Sequence, residues 1–293
     1  MATQPAVSIA ADGKPDFITY ERRDGVAWIM LDRPQYANAQ NAGLLDQLDR
    51  AFRAATDDLE VKVIVLGGNG KHFSAGHDLG TPDDDSDQTR DRKAIWHDHV
   101  GLKGAERQYV LEQDLYLGLC RRWQDIPKPT IAMVQGACIA GGLMLAWVCD
   151  MIVASDDAYF QDPVVQMGIP GVEYFAHAFE LPPRIAREFL YLGQKMPADR
   201  AYQYGMVNRV VARDHLAAEV EAIAREIAER PRFGLAMVKQ AINLVEDQRG
   251  KRSAMDSVFH MHHLAHAHMQ LTTGSIVGGI GAKDVAKAGR NKA

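Results

Sequence analysis

Phe73-Ser74-Ala75-Gly76-His77-Asp78-Leu79 and Gly136-Ala137-Cys138-Ile139-Ala140-Gly141-Gly142 lie about sixty residues apart, and their reading decides the fold. Each follows a β-branched run: Val61-Lys62-Val63-Ile64-Val65-Leu66 before the first, Thr130-Ile131-Ala132-Met133-Val134 before the second. The pattern is a strand, a glycine turn, then a helix or loop, used twice. Glycine at such a turn leaves backbone N–H groups bare. Two bare N–H groups aimed at one point make an oxyanion hole, which stabilises charge developing on a carbonyl oxygen. The pair of turns therefore points to acyl chemistry.

Outward from these turns, strands and helices alternate. Residues 17–21 and 26–31 read as strands of a hairpin around Arg23-Asp24-Gly25. Asn41 is placed to cap a helix over 44–55, whose Leu44, Leu45, Leu48 and Phe52 share one face. A long helix is expected over 104–123, with Leu111, Leu115, Leu119 and Trp123 inward, and Pro127-Lys128-Pro129 ends it. A short buried strand follows at 151–154. Beyond about residue 212 the pattern turns helical, over 215–229, 233–246 and 253–271. The fold class is α/β. The expected division is a core over 15–212, a helical oligomerisation region over 213–272 and a flexible tail over 273–293. The acidic stretch 81–92 reads as a mobile loop.

Composition excludes several classes. The 293 residues are 47% hydrophobic and 24% charged, enough to bury a sizeable core. A net charge of −5 with no long basic block argues against nucleic acid as a partner. Cys120, Cys138 and Cys149 form no CxxC pair, which suits a reduced, cytoplasmic compartment. Residues 1–14 do not read as a signal peptide. Residues 131–149 are uncharged and nearly long enough to span a bilayer. Gln135-Gly136 and Gly141-Gly142 break that stretch, so it reads as strand, turn and buried helix, with no membrane span.

The ordered set of motifs resembles the crotonase family, also called the enoyl-CoA hydratase/isomerase family, from about residue 18 to at least 246. The matching pieces are Arg33-Pro34 with Asn38-Ala39 and Asn41, the two glycine turns, Pro127-Lys128-Pro129, Cys149-Asp150, Gly168 and Gly205-Met206-Val207-Asn208. Each piece is weak alone; their order and spacing carry the match. The resemblance implies a spiral of stacked strand–strand–helix turns with a helical C-terminal region, and a homotrimer or hexamer. It also implies an acyl-CoA thioester substrate, with coenzyme A as part of that substrate and no separate cofactor. The oxyanion donors carried over are the N–H groups of His77 and Gly141. Ala75, Gly76, Asp78, Leu79, Gly142, Met144 and Val164 are then expected at the substrate.

This sequence also departs from the pattern. Hydratases of the family place one glutamate three residues after the second oxyanion glycine, where this chain has Met144. They place another just after a proline, where this chain has Val164 behind Pro163. Neither side chain can hold or transfer a proton. The carboxylates that could replace the pair are Glu173, expected in a tight apolar setting that raises its pKa, and Asp162, whose plain reading is a turn or cap. Glu112 and Asp114 on the long helix are further candidates, more simply read as solvated surface. His260, His262, His263, His266 and His268 crowd one helix at metal-compatible spacing. No neighbouring carboxylate motif accompanies them, so no metal is expected and a polar interface is the simpler reading. His97 and His99 are possible pocket residues. Lys128 and Lys239 could meet CoA phosphates, although surface lysines usually do not. Two functions from different classes follow: an acyl-CoA enzyme stabilising a thioester enolate, by isomerisation, hydration or hydrolysis, or a non-catalytic acyl-CoA binding or scaffold protein.

Overall fold

In a computed structural model, which describes residues 16–83, 85 and 96–278, the β-branched runs become the strands of a stacked spiral. β1 (Ile18–Arg23) and β2 (Val26–Leu31) pair antiparallel around Asp24-Gly25. Asn41 caps α1 (Ala42–Asp57), its side chain accepting from the Leu44 N–H at 3.0 Å. β3 (Val63–Gly68) runs parallel to β2 and begins two residues later than the sequence suggests, because the Val61 N–H closes a turn onto the Asp58 carbonyl. The expected long helix is α2 (Gly104–Glu112) and α3 (Leu119–Gln124), joined through a π-helical stretch, Gln113–Gly118. Periodicity cannot reveal such a widened turn, a feature frequent at functional sites.

The next turns of the spiral are β4 (Thr130–Val134), β5 (Ala137–Ile139) and α4 (Gly141–Trp147), then β6 (Met151–Ser155) and β7 (Tyr159–Gln161). α5 (His177–Glu180), α6 (Pro183–Leu192), β8 (Met196–Pro197), α7 (Ala198–Gln203) and β9 (Arg209–Val211) complete it. Three helices follow: α8 (Leu216–Ala228), α9 (Arg232–Gln248) and α10 (Lys251–Thr273). The uncharged stretch 131–149 is thus divided among β4, β5 and α4, and no helix among the described residues is long and apolar enough to cross a membrane.

The strands form two sheets. The larger has the order β1-β2-β3-β4-β6-β9, parallel except for the β1/β2 hairpin. The smaller, β5-β7-β8, was not legible in the sequence because its strands are only two or three residues long. Bridges Gln40↔His77 and Ser74↔Cys138 continue the smaller sheet's ladder into the first glycine turn. Both glycine turns therefore stand on adjacent rungs of the same layer. The central parallel strands β3 and β4 are buried on both faces. Ile64 and Leu66 pack with α1 and α4, while Val63 and Val65 pack with Val220 and Ile223 of α8.

Lys128 is buried, with Nζ donating to the carbonyls of Ala55 and Asp58 at 2.6 and 2.7 Å, where it satisfies the C-terminal end of α1. Lys239 is buried against Asp150 at 3.0 Å. Both lysines hold the fold together. The helical C-terminal region keeps Phe233, Val238 and Ile242 of α9 and Leu264 and Leu271 of α10 exposed. The acidic stretch lies outside the described residues at 84 and 86–95, as does the expected tail from 279 onward.

Candidate active site

The two glycine turns touch. Gly76 has φ +94°, and a Cβ there would lie 2.8 Å from the Ile139 carbonyl oxygen and 3.0 Å from the Gly141 nitrogen. A Cβ on Gly141 would in turn lie 2.7 Å from Cε1 of His77. Only glycine allows this approach. Between them, Ala140 adopts φ 47°, a conformation L-residues rarely take. Among the described residues, neither the His77 N–H nor the Gly141 N–H donates to a backbone carbonyl.

The first turn is anchored from below by Arg33. Its side chain is fully buried and bridges Asp78 at 3.0 Å, with side-chain exposures of 0% and 1%. Burial pushes the Asp78 carboxyl up, but the hydrogen bonds from Thr81 and the Arg33 charge outweigh it and hold the group below its ordinary value. Asn38 adds side-chain N–H bonds to the carbonyls of His72 and Phe73 at 2.9 and 3.1 Å. The Arg33 and Asn38 motifs are thus props of the turn.

Beside the turns lies a cavity of about 380 Å³. Ala75, His77 and Leu79 enter its wall from the first turn and Ile139 and Ala140 from the second; Pro163, Val164 and Glu173 come from the loop after β7. Gln108, Glu112 and Tyr116 of the α2–π stretch and His262 and His266 of α10 also line the cavity. The imidazole of His77 is stacked on Tyr116, ring centroids 3.8 Å apart, and its Nε2 lies 3.0 Å from Oε2 of Glu173. Glu173 is 5% exposed. Its other oxygen lies 3.8 Å from Nε2 of His262. The Glu173 carboxyl is lowered, against the raised pKa expected from its neighbours in sequence. Burial does push it up, but His77 and His262 more than compensate and bring it to about 2. The two histidines that reverse the sign come from distant parts of the chain.

The histidine-rich helix folds back onto this wall. Nε2 of His262 lies 3.3 Å from Glu112 Oε2 and 2.9 Å from Nε2 of His266. Burial works against a charged His262, yet the Glu112 and Glu173 carboxylates and the Gly171 carbonyl raise it to about 9. Burial lowers His263 to about 4, aided by the charges of His262 and His266 against the pull of Glu112. Glu112 is 2% exposed, so its reading as a solvated surface residue is overturned: α10 covers it.

Other candidates fall elsewhere. Asp162 is fully buried but turned off the cavity, accepting from the N–H groups of Val164 and Val172 and pairing with buried His177 at 2.8 Å. Of the turn and cap readings, the turn describes this position: Pro163 holds the N-cap of the short helix that follows, and no side chain caps it. Met144 packs in the core of α4 at 2% exposure, and neither it nor Gly76, Asp78, Gly141 or Gly142 is among the residues that line the cavity. Asp114, His97 and His99 are not among the lining residues. Tyr116 and Lys195 do line the cavity, Lys195 with its Nζ 4.5 Å from the Tyr159 ring centroid. No sequence signal marked either one, since each is a single side chain brought in by tertiary packing.

The sequence pattern of the enoyl-CoA hydratase/isomerase family matches residues 21–277, nearly the whole described chain. The chain belongs to the enoyl-CoA hydratase/isomerase family. A crystal structure of a probable enoyl-CoA hydratase from Mycobacterium smegmatis is similar with a TM-score of 0.81 and 47% identity, over 89% of this chain and 98% of that one. The Mycobacterium tuberculosis protein EchA13, provisionally named an enoyl-CoA hydratase, is 40% identical over 269 residues, 88% of this chain and 83% of the relative. A protein named 4-chlorobenzoyl coenzyme A dehalogenase-2 from an Arthrobacter species is 33% identical over 245 residues, 82% of this chain and 80% of the relative. The chain is an acyl-CoA enzyme of this family, and its fold is the family's spiral with C-terminal helices.

Proposed function

We propose that this enzyme forms and reprotonates the enolate of an enoyl-CoA thioester, moving the double bond along the acyl chain. The thioester carbonyl oxygen sits between the N–H groups of His77 and Gly141, where negative charge is stabilised as it develops. Glu173 takes a proton from one acyl carbon and returns it to another. The observation that carries this reading is the His77 Nε2 to Glu173 Oε2 contact at 3.0 Å. One residue thereby offers a backbone donor to the carbonyl and a side-chain donor to the carboxylate, which sets the distance between the two ends of the chemistry. A single ionised carboxylate suffices for isomerisation. Hydration by the family's two-glutamate route lacks its partners at Met144 and Val164. Met144 is a core residue and Val164 an apolar patch of cavity wall.

The C-terminal helices are proposed to meet other copies of this chain, covering Phe233, Ile242 and Leu264, which are exposed in the single chain. The test is a panel of enoyl-, hydroxyacyl- and ketoacyl-CoA thioesters with products identified by mass spectrometry and NMR. A shifted double bond without mass change supports isomerisation. Addition of water to crotonyl-CoA at the common enzymatic rate of roughly 10 s⁻¹ or above would refute it. Tight binding with no product across the panel would favour a scaffold.

A further inference from the structure

Glu112, His262 and His266 place one carboxylate and two imidazoles at a single point of the cavity wall, all three buried. Both histidines are oriented from behind. Nδ1 of His262 lies 2.8 Å from the Gly171 carbonyl, and Nδ1 of His266 lies 2.7 Å from the Ile276 carbonyl. A carbonyl can only accept, so each Nδ1 carries its proton and each ring turns Nε2 towards the other. Those two Nε2 atoms are 2.9 Å apart. Two lone pairs do not face each other at that distance unless a positive species lies between them. It is either a shared proton or a cation.

A charged His262 supplies the proton in the first case; the placing of Glu112 favours the second. Its Oε2 lies 3.3 Å from Nε2 of both His262 and His263, yet it is buried without a hydrogen bond to either. A buried carboxylate oxygen without a donor is a destabilising arrangement that a cation would relieve. Gln108 holds the other oxygen by an amide N–H bond. The nearest separations are 2.9 Å between the Nε2 atoms of His262 and His266, 3.3 Å from His262 Nε2 to Oε2 of Glu112 and 3.7 Å from His266 Nε2 to the other Glu112 oxygen, Oε1, so the carboxylate faces both rings edge-on. The two edges that share His262 Nε2, 2.9 and 3.3 Å, lie close to the edge of about 3.3–3.4 Å of a tetrahedron with metal–ligand bonds of about 2.0–2.1 Å. Histidines held by backbone carbonyls through the far nitrogen are the usual support of a metal site.

We propose that Glu112, His262 and His266 bind a divalent first-row transition cation such as Zn²⁺, with a remaining coordination position open to the acyl cavity. Nitrogen and carboxylate donors in this number suit such an ion, and not Ca²⁺ or Mg²⁺, which prefer all-oxygen shells. The binding of a cation is tested apart from turnover, although His262 stands 3.8 Å from Glu173 and so joins the two sites.

The experiment uses the full chain, stripped with a chelator and titrated with Co²⁺ and then with Zn²⁺. One equivalent of Co²⁺ should bind, with the intense visible absorption of a four- or five-coordinate ion, and Zn²⁺ should displace it. Glu112→Gln and His266→Ala should weaken binding by at least about 100-fold, beyond the loss expected from an outer partner alone. His260→Ala and His268→Ala, exposed on the same helix, should bind as the unaltered chain does. Absence of a stoichiometric Co²⁺ spectrum in the unaltered, folded chain means that the two imidazoles share only a proton, and overturns the proposal. Binding that survives Glu112→Gln and His266→Ala but falls with His260→Ala or His268→Ala also overturns it. The spectrum of the unaltered chain decides the matter even if a variant fails to fold.

Discussion

His77 and Glu173, 96 residues apart in the chain, meet at 3.0 Å across the cavity wall. The contact joins the first glycine turn to the loop after β7, and it makes the turn's histidine more than a carrier of one N–H group. Substitution at either residue separates its two parts. Glu173→Gln keeps the shape and removes the proton acceptor, so kcat should fall by about 10²–10⁴ with acyl-CoA affinity nearly unchanged. His77→Ala keeps the backbone donor and frees Glu173, so its kcat should fall less than that of Glu173→Gln. Both are measured by steady-state kinetics and by binding of a non-reacting acyl-CoA. Equal kcat in Glu173→Gln and the unaltered enzyme would remove Glu173 from the chemistry.

Gly141, the proposed second donor, stands where a Cβ would displace the His77 ring. A Cβ would meet the His77 ring at 2.7 Å and the Gln40 side-chain oxygen at 3.0 Å. Gly141→Pro removes the N–H and adds that clash, although proline itself is tolerated at a helix start. Loss of one such donor costs about 10²–10³ in kcat. Gly141→Ala retains the N–H and isolates the clash. If Gly141→Pro kept full activity on the best substrate, the carbonyl would have to bind elsewhere.

Asp162 should behave in the opposite way from Glu173. Its carboxylate holds His177 and two backbone N–H groups with no exposure to the cavity. Asp162→Asn should therefore lower stability, by about 1–3 kcal/mol for a disturbed buried hydrogen-bond set, and leave kcat of the folded enzyme nearly intact. Chemical denaturation and single-substrate kinetics on the same preparation separate the two effects. A large loss of kcat at unchanged stability would return Asp162 to the catalytic candidates.

Much of this architecture was legible from short-range patterns. The hairpin, the Asn41 cap, the parallel strands and the three terminal helices follow from periodicity and caps, which are local. The order of motifs located the two turns. The missing information is long-range. The sequence shows five histidines on one helix and, about 150 residues earlier, Glu112 on another. Nothing local says that α10 folds back over α2 and buries that glutamate. The direction of the Glu173 shift fails for the same reason: glycine and aromatic neighbours suggest an apolar setting, whereas the governing charges, His77 and His262, arrive through the fold. The π-helical turn that presents Tyr116 to His77 is likewise invisible to a 3.6-residue period.

Glu180, at the end of α5, gives the pH prediction. Burial pushes its carboxyl up from 4.5 to about 7, against Lys251 4.0 Å away, and the charge of Glu246 adds to the rise. The native state therefore keeps a proton that the unfolded chain releases. Stability from this group is complete below about pH 4.5 and is lost as pH rises to about 7. Above that, an ionised, largely buried carboxylate remains as a penalty. Glu180→Gln removes the ionisation and keeps the shape. The variant should match the unaltered protein in acid and exceed it at pH 8 by about 1–3 kcal/mol, the lower end applying because the side chain is 21% exposed. Denaturant midpoints across the range from pH 4.5 to pH 8 measure the difference. A constant difference between the two proteins at every pH, or a less stable variant at pH 8, would show that Glu180 ionises normally in the folded chain.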